Sequence, residues 1–306
     1  MDLDQRLAIS YYKPIAAINE PHHVYLVQHQ ETKKIAIKKV LDVYNLAVYA
    51  ELYRNPIAGT PRIINYYEEA GQLTVIEEYI SGTSLQDKIS HADIAPSDML
   101  QYMLDLCAIL EQLHQHNPAI IHRDVKPSNV IITSYNRAVL LDFNAAKYHT
   151  AAKDSDTILL GTQGYAAPEQ YGFGQSSPQT DIYSIGILLK EMAEASHCQN
   201  PYIDAVTAKC TQMNPAERYR SIGELRQAFL ANRGVFPYTH ADQAFTGDLS
   251  GSSSNRSNAQ TQNDPGTSAN HMQFAPPGFR SKTPWKMVVA LLTLSLIHIS
   301  EPTRRS

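Results

Sequence analysis

The stretch Ile121 to Ile132 reads I-H-R-D-V-K-P-S-N-V-I-I. It sets a carboxylate at Asp124, an ammonium at Lys126 and an amide at Asn129 in a short polar segment flanked by apolar residues. A carboxylate so placed can orient a hydroxyl nucleophile and accept its proton, while an amide oxygen can face a hard cation beside it. A short rigid loop must hold the two groups at fixed separation. A second acid follows a brief apolar run, where Ala138-Val139-Leu140-Leu141 leads into Asp142-Phe143-Asn144. A loop, strand and loop of this length can fold Asn129 and Asp142 toward one cation. The bland alternatives are a polar surface turn for the first segment and an ordinary turn acid for Asp142.

Several elements must position these groups. Val24-Tyr25-Leu26-Val27, a polar turn from Gln30 to Lys34, and Ile35-Ala36-Ile37-Lys38 predict a hairpin within three short strands spanning Tyr12 to Val40. Asp42 to Tyr53 is expected as a helix that closes before Asn55-Pro56. Leu73 to Ile80 reads as a strand running into Ser81-Gly82-Thr83-Ser84-Leu85. From Pro96 to His116, Met99, Met103, Leu106, Leu110 and Leu113 recur at helical spacing. That stripe is a core-facing scaffold delivering the 121–132 segment, and carries no chemistry. Thr180 to Leu189 predicts a buried helix with Asp181 near its start.

The bulk composition narrows the function classes. The chain has 306 residues, 43% of them hydrophobic, enough for a two-lobed globular core and a tail. A formal charge of −4 gives no basic footprint for nucleic acid. Cys107, Cys198 and Cys210 form no C-x-x-C pair and suggest neither a zinc site nor a disulfide framework, which fits a reducing cytoplasm. The acidic start Met1-Asp2-Leu3-Asp4 lacks the apolar core of a signal peptide.

His122-Arg123-Asp124 with Lys126, Pro127 and Asn129, then Asp142-Phe143, then Gly161-Thr162-Gln163-Gly164-Tyr165-Ala166-Ala167-Pro168-Glu169 carry a resemblance. Over about residues 10 to 231 the chain resembles the eukaryotic-type (Hanks-type) serine/threonine protein kinases of bacteria. The resemblance implies an α+β bilobal fold, with a small β-rich N-lobe over about 10–80 and a larger, mainly α C-lobe over 81–231. It implies ATP as phosphoryl donor, Mg2+ (or Mn2+) as the cation and a protein serine or threonine as acceptor. Asp124 would then be the base, Asn129 and Asp142 the metal ligands, and Lys38 and Lys126 the cations neutralising phosphate charge. Backbone groups of Glu78, Tyr79 and Ile80 would meet the adenine. His122, Phe143 and Asp181 are expected to shape the catalytic loop, and Glu169 to pair with Arg218. Lys126 and Thr162 mark the serine/threonine rather than the tyrosine pattern. Arg123 would receive a phosphate on the activation segment, with Thr150, Ser155 and Thr157 as autophosphorylation sites.

Three departures from the family pattern accompany these matches. The loop that should cover the phosphates, Ala16 to Val24, contains no glycine, and Asn19 is the residue expected to tolerate its turn. Asn144 stands where the family has glycine, as the residue least penalised if an unusual backbone conformation is needed there. The family's helix glutamate should fall near Leu46 or Ala47. Glu51, one turn on, is one candidate partner for Lys38, and Glu77 at the back of the pocket is another. These departures keep a rival reading open: a pseudokinase that binds nucleotide or a partner without phosphotransfer. A small-molecule phosphotransferase is a further rival, disfavoured by the 161–169 segment and Arg218.

Beyond residue 233 the pattern changes. Residues 234–283 are rich in Ser, Asn, Gln, Thr, Gly and Pro and read as a disordered linker. Residues 285–299 turn apolar and are expected as an incomplete transmembrane segment, with Arg280, Lys282 and Lys286 kept cytoplasmic. Leu294 to Arg304 resembles translated sequencing-adapter DNA, so residues 294–306 are excluded from fold reasoning. The expected protein is therefore a single-pass inner- or plasma-membrane protein with its catalytic domain in the cytoplasm, and its family also leaves room for dimerisation.

Overall fold

In the computed structural model, which describes residues 3–149, 161–172, 174–198 and 200–236, strand and helix segregate along the chain. After a first helix, α1 (Leu3–Ser10), come strands β1 (Tyr12–Asn19), β2 (Val24–His29) and β3 (Ile35–Leu41). Helix α2 (Leu46–Arg54) separates these from β4 (Ile63–Glu69) and β5 (Gln72–Glu78). The five strands form one antiparallel sheet in the order β1-β2-β3-β5-β4. The predicted hairpin is thus β2–β3, turning through a left-handed Lys33 (φ 58°). Helix α2 begins four residues later than the expected Asp42, because Asn45 caps it, accepting from the amides of Ala47 and Val48.

The larger lobe is helical. Strand β6 (Thr83–Ser84) and helix α3 (Leu85–Ser90) lead to α4 (Pro96–His114), whose Met99, Met103, Leu106, Leu110 and Leu113 are fully buried. Each such burial contributes about 1.5–3 kcal/mol, which makes α4 the axis of this lobe. Short strands β7 (Ile120–Ile121), β8 (Val130–Ile132), β9 (Ala138–Leu140) and β10 (Lys147–Tyr148) follow, then α5 (Pro178–Ala195), α6 (Pro201–Cys210) and α7 (Ile222–Ala231). Strand β8 pairs with both β6 and β9, and β7 pairs with β10, so the catalytic-loop candidate hangs between two small sheets. At the link between lobes Gly82 has no room for a side chain, since a Cβ there would sit 2.3 Å from the Ile132 carbonyl oxygen.

Among the described residues no helix is long and apolar enough to cross a membrane. The expected linker, transmembrane segment and adapter-like end, from residue 237 onward, lie outside the described residues, as do Thr150, Ser155 and Thr157.

Candidate active site

The site grows from Asp124. Its Oδ1 accepts from the Thr162 hydroxyl at 2.8 Å, and its Oδ2 accepts from Lys126 Nζ at 2.8 Å and from Asn129 Nδ2 at 3.0 Å. Lys126 also donates to the Thr162 hydroxyl at 2.7 Å, closing a ring of acid, cation and hydroxyl. Burial works against ionisation of Asp124, but the Lys126 ammonium and the Thr162 hydroxyl outweigh it and hold the carboxyl below its ordinary range. Asp124 is therefore a charged acceptor.

The loop carrying it is held from below. Asp181, fully buried at the start of α5, accepts from the backbone amides of His122 (3.0 Å) and Arg123 (2.8 Å) and from His114 Nε2 (2.8 Å). Burial opposes its charge, yet His114 and the backbone amide of Arg123 hold its carboxyl below the ordinary range. His122 stacks edge-on to Phe143 with centroids 5.0 Å apart and donates to the Leu141 carbonyl at 3.1 Å; burial holds its imidazole neutral. Arg123 is buried, with φ of 70°, and donates to the Ser176 hydroxyl and the Ala145 carbonyl. Glu169 and Arg218, both buried, meet in a two-pronged ion pair of 2.7 and 2.9 Å, with Thr180 donating to Glu169 as well. The roles expected of Asp181 and of the Glu169–Arg218 pair as braces have their contacts in place.

The β8–β9 pairing brings Asn129 to the residue before Asp142: Val130 faces Leu140, and the Leu141 amide donates to the Asn129 carbonyl at 2.7 Å. Asn129 spends its amide nitrogen on Asp124, which leaves its side-chain oxygen as the atom with lone pairs for a cation. Asp142 has left-handed backbone (φ 67°), an uncommon and strained conformation for a residue with a side chain. Its Oδ1 is buried and accepts no hydrogen bond among the described residues, with only the Lys39 ammonium near it at 3.6 Å, an acceptor that a bound cation would satisfy. Among the described residues no cluster of three or more His, Cys, Asp or Glu side chains could hold a metal alone. The donor set fits Mg2+, which takes few protein ligands and completes its shell with phosphate oxygens and water.

The lysine at this site is Lys39, not the expected Lys38. Lys39 Nζ lies 2.8 Å from Glu77 Oε1 and 3.6 Å from Asp142 Oδ1. Burial alone would lower its pKa, but the two carboxylates raise it well above the ordinary lysine value. Burial pushes Glu77 up, with Lys39 opposing. Lys38 is half-buried on the opposite face of β3, which it shares with Ala36. Lys38 is expected from the family resemblance of Ile35-Ala36-Ile37-Lys38, whereas the cross-strand register places Lys39 on the face that Glu77 shares.

Other expectations shift in the same way. Glu51 accepts from Asn55 at 2.9 Å and lies 3.5 Å from His116, so it does not reach Lys39. Asn144 does not take up left-handed backbone; instead its side-chain oxygen accepts from the Tyr49 hydroxyl at 2.7 Å. Nothing in the sequence singled out Tyr49. In the loop over the site, Asn19 is extended (φ −144°) before a 3-10 turn at Glu20–His22, and His23 supplies the left-handed turn (φ 52°). At the lobe link the Glu78 amide is taken by the Arg62 carbonyl at 2.9 Å.

Residues 22–229 match the model of the protein kinase domain family. A putative leucine-rich repeat receptor-like serine/threonine-protein kinase of Arabidopsis thaliana is 38% identical, over 42% of this chain and 16% of that protein. Serine/threonine-protein kinase PknB of Mycolicibacterium smegmatis is 30% identical, over 62% of this chain and 36% of its own length. Serine/threonine-protein kinase D of Synechocystis is 32% identical, over 58% of this chain and 40% of its own length. The chain thus spans less than half of each of these relatives.

Proposed function

The chain belongs to the protein kinase family, and on that premise we propose that it is an ATP-dependent serine/threonine protein kinase acting on protein hydroxyls. One observation carries the reading: the loop bearing Asp124 and Asn129 is hydrogen-bonded to the strand end that leads into Asp142, and Asp142 lies against Lys39. Asp124 accepts from Asn129, the Leu141 amide donates to the Asn129 carbonyl, and Lys39 Nζ lies 3.6 Å from Asp142 Oδ1.

In this reading Asp124 accepts a hydrogen bond from the acceptor hydroxyl and aligns it for in-line attack. Its depressed pKa limits it as a base, so it contributes chiefly by orientation, taking the proton as charge moves off the hydroxyl oxygen. Lys126 sits 2.8 Å from the same carboxylate and neutralises charge on the transferring phosphoryl group. Thr162 holds both and shapes the seat for the acceptor residue. Lys39 binds the nucleotide phosphates, and the backbone from Glu78 to Ile80 meets the adenine. Asn129 and Asp142 would hold Mg2+, which would supply positive charge to the phosphates. The loop from Asn19 to His23 presents fewer free amides than a glycine loop, so nucleotide affinity is expected to be modest. Phosphorylation of Thr150, Ser155 or Thr157 and membrane attachment through residues 285–299 belong to the same proposal on sequence grounds alone. So does the bacterial-type assignment.

The glycine-free loop favours one second reading, a pseudokinase. The two part in a single assay: transfer of labelled phosphate from ATP with Mg2+ by the full chain, beside Asp124→Asn. Incorporation into the protein or a generic basic substrate, abolished in the variant, is the expected result. Nucleotide binding without any incorporation would overturn the kinase reading.

A further inference from the structure

Lys39 can contact phosphate reproducibly only if something fixes its ammonium, and helix α2 does not supply that group. Its one acid, Glu51, faces Asn55 and His116. The α2 side chain that reaches the site is Tyr49, fully buried, with its hydroxyl on Asn144. The carboxylate comes from the sheet. Ile37 pairs with Glu77 and Lys39 with Val75, so Lys39 and Glu77 are diagonal neighbours on one face, a separation that two long side chains close. They meet at 2.8 Å, 7% and 5% exposed.

We infer that Glu77 is the positioning residue for Lys39, and that helix α2 bears on the site through Tyr49 and Asn144, at the loop carrying Asp142, and not through the lysine. The inference rests on the kinase reading above. An ion pair within one sheet keeps its geometry when a neighbouring helix shifts. A shift of α2 instead drags Asn144, two residues from Asp142. The chain therefore separates two functions: the lysine is fixed by the sheet, while the cation-holding loop answers to the helix.

The test compares Glu77→Gln, Glu77→Asp, Glu51→Gln and Tyr49→Phe in the full chain. It reads kcat, KM for ATP, the Mg2+ concentration giving half-maximal rate, and thermal stability. Glu77→Gln is expected to lower kcat/KM tenfold or more, and Glu77→Asp, which keeps the charge on a shorter side chain, to recover about a third of that loss but to stay several-fold below the parent. Glu51→Gln should stay within twofold of the parent. Tyr49→Phe should raise the Mg2+ requirement at least threefold with KM for ATP at saturating Mg2+ within twofold. A folded Glu77→Gln within twofold of the parent overturns the inference, as does Glu51→Gln losing as much as Glu77→Gln. An unchanged Mg2+ requirement in Tyr49→Phe overturns the helix half of it. Should Glu77→Gln fail to fold, Glu77→Asp decides: parental kcat/KM overturns the inference and a several-fold loss supports it. A parent chain without transfer refutes the kinase reading instead; the same variants are then read by calorimetric affinity for MgATP, with the same ordering expected.

Discussion

Exchanging one lysine for methionine at a time, Lys38→Met against Lys39→Met, separates the residue that the family resemblance pointed to from the one that meets Glu77 and Asp142. The Lys39 ammonium lies 2.8 Å from Glu77 and 3.6 Å from Asp142. At an effective dielectric of about 20 those distances correspond to gross attractions of about 6 and about 5 kcal/mol. Desolvation of the buried Lys39 and Glu77 and the half-buried Asp142 offsets most of that, so the gross figures are not the cost. Removing one partner of a buried pair leaves the others uncompensated and costs about 3–5 kcal/mol. In a domain of this size each kcal/mol moves the melting temperature by about 2–4 °C, so Lys39→Met should melt about 6–20 °C lower. With Lys39 gone, Glu77 loses the charge that opposed its burial and its pKa climbs further above the unfolded value. An acid with a raised folded pKa costs nothing while protonated in both states and destabilises progressively above its unfolded pKa. The stability gap between parent and variant should therefore widen as pH rises from about 5 to 8. Lys38 has no ion pair among the described residues, and its replacement should stay within about 0.5 kcal/mol. Loss of a preorganised cation from the phosphates should lower kcat/KM about 10²–10³-fold for Lys39→Met, measured well below its melting temperature, against less than twofold for Lys38→Met. The reasoning fails if Lys38→Met is the damaging variant, or if Lys39→Met is stable and active.

The braces around the catalytic loop give further expectations. Arg218→Leu strands the Glu169 carboxylate in the interior and should cost about 3–5 kcal/mol by chemical denaturation, whereas adding Glu169→Leu should restore at least half of it. Asp181→Asn removes the charge that collects the His122 and Arg123 amides and His114; transfer should fall at least tenfold even where the variant remains folded, as followed by circular dichroism. The depressed pKa of Asp124 makes a contribution to stability that is present above the unfolded Asp value and lost as pH falls through the folded one. Relative to Asp124→Asn, the parent should therefore lose stability on acidification from pH 7 toward about 3, as denaturation midpoints would show.

What the sequence made legible follows from how locally each feature is encoded. Asp124, Lys126 and Asn129 sit in one short segment, so their spacing survives folding, and they meet as expected. The α4 stripe was readable because one face of a long helix must be apolar, and those residues are the ones buried. Asp181 and the Glu169–Arg218 pair span long sequence separations and became visible through the family resemblance, not through spacing. Lys38 was expected because Ile35-Ala36-Ile37-Lys38 fits the family's strand pattern, and a local motif does not report which of two adjacent lysines faces Glu77 across the sheet. Tyr49 and Asn144 lie 95 residues apart, and neither residue type announces the other. A hydrogen bond between two neutral side chains leaves no charge pattern to read.

The departures from the family pattern are easier to understand together than singly. A missing helix glutamate, taken alone, suggests a lysine adrift. A carboxylate at the back of the pocket, taken alone, suggests an unpaired buried charge, which would be costly. Set in one structure, each removes the other's difficulty: Glu77 has Lys39, and Lys39 needs nothing from α2. The same holds for the second pair. Tyr49 would bury its hydroxyl without a partner, and Asn144 would bury its amide oxygen; together they satisfy one another at 2.7 Å. Among the described residues Asp142 Oδ1 has no hydrogen bond and only the Lys39 ammonium beside it, 3.6 Å away, so Asp142 is the acceptor with capacity left for a cation.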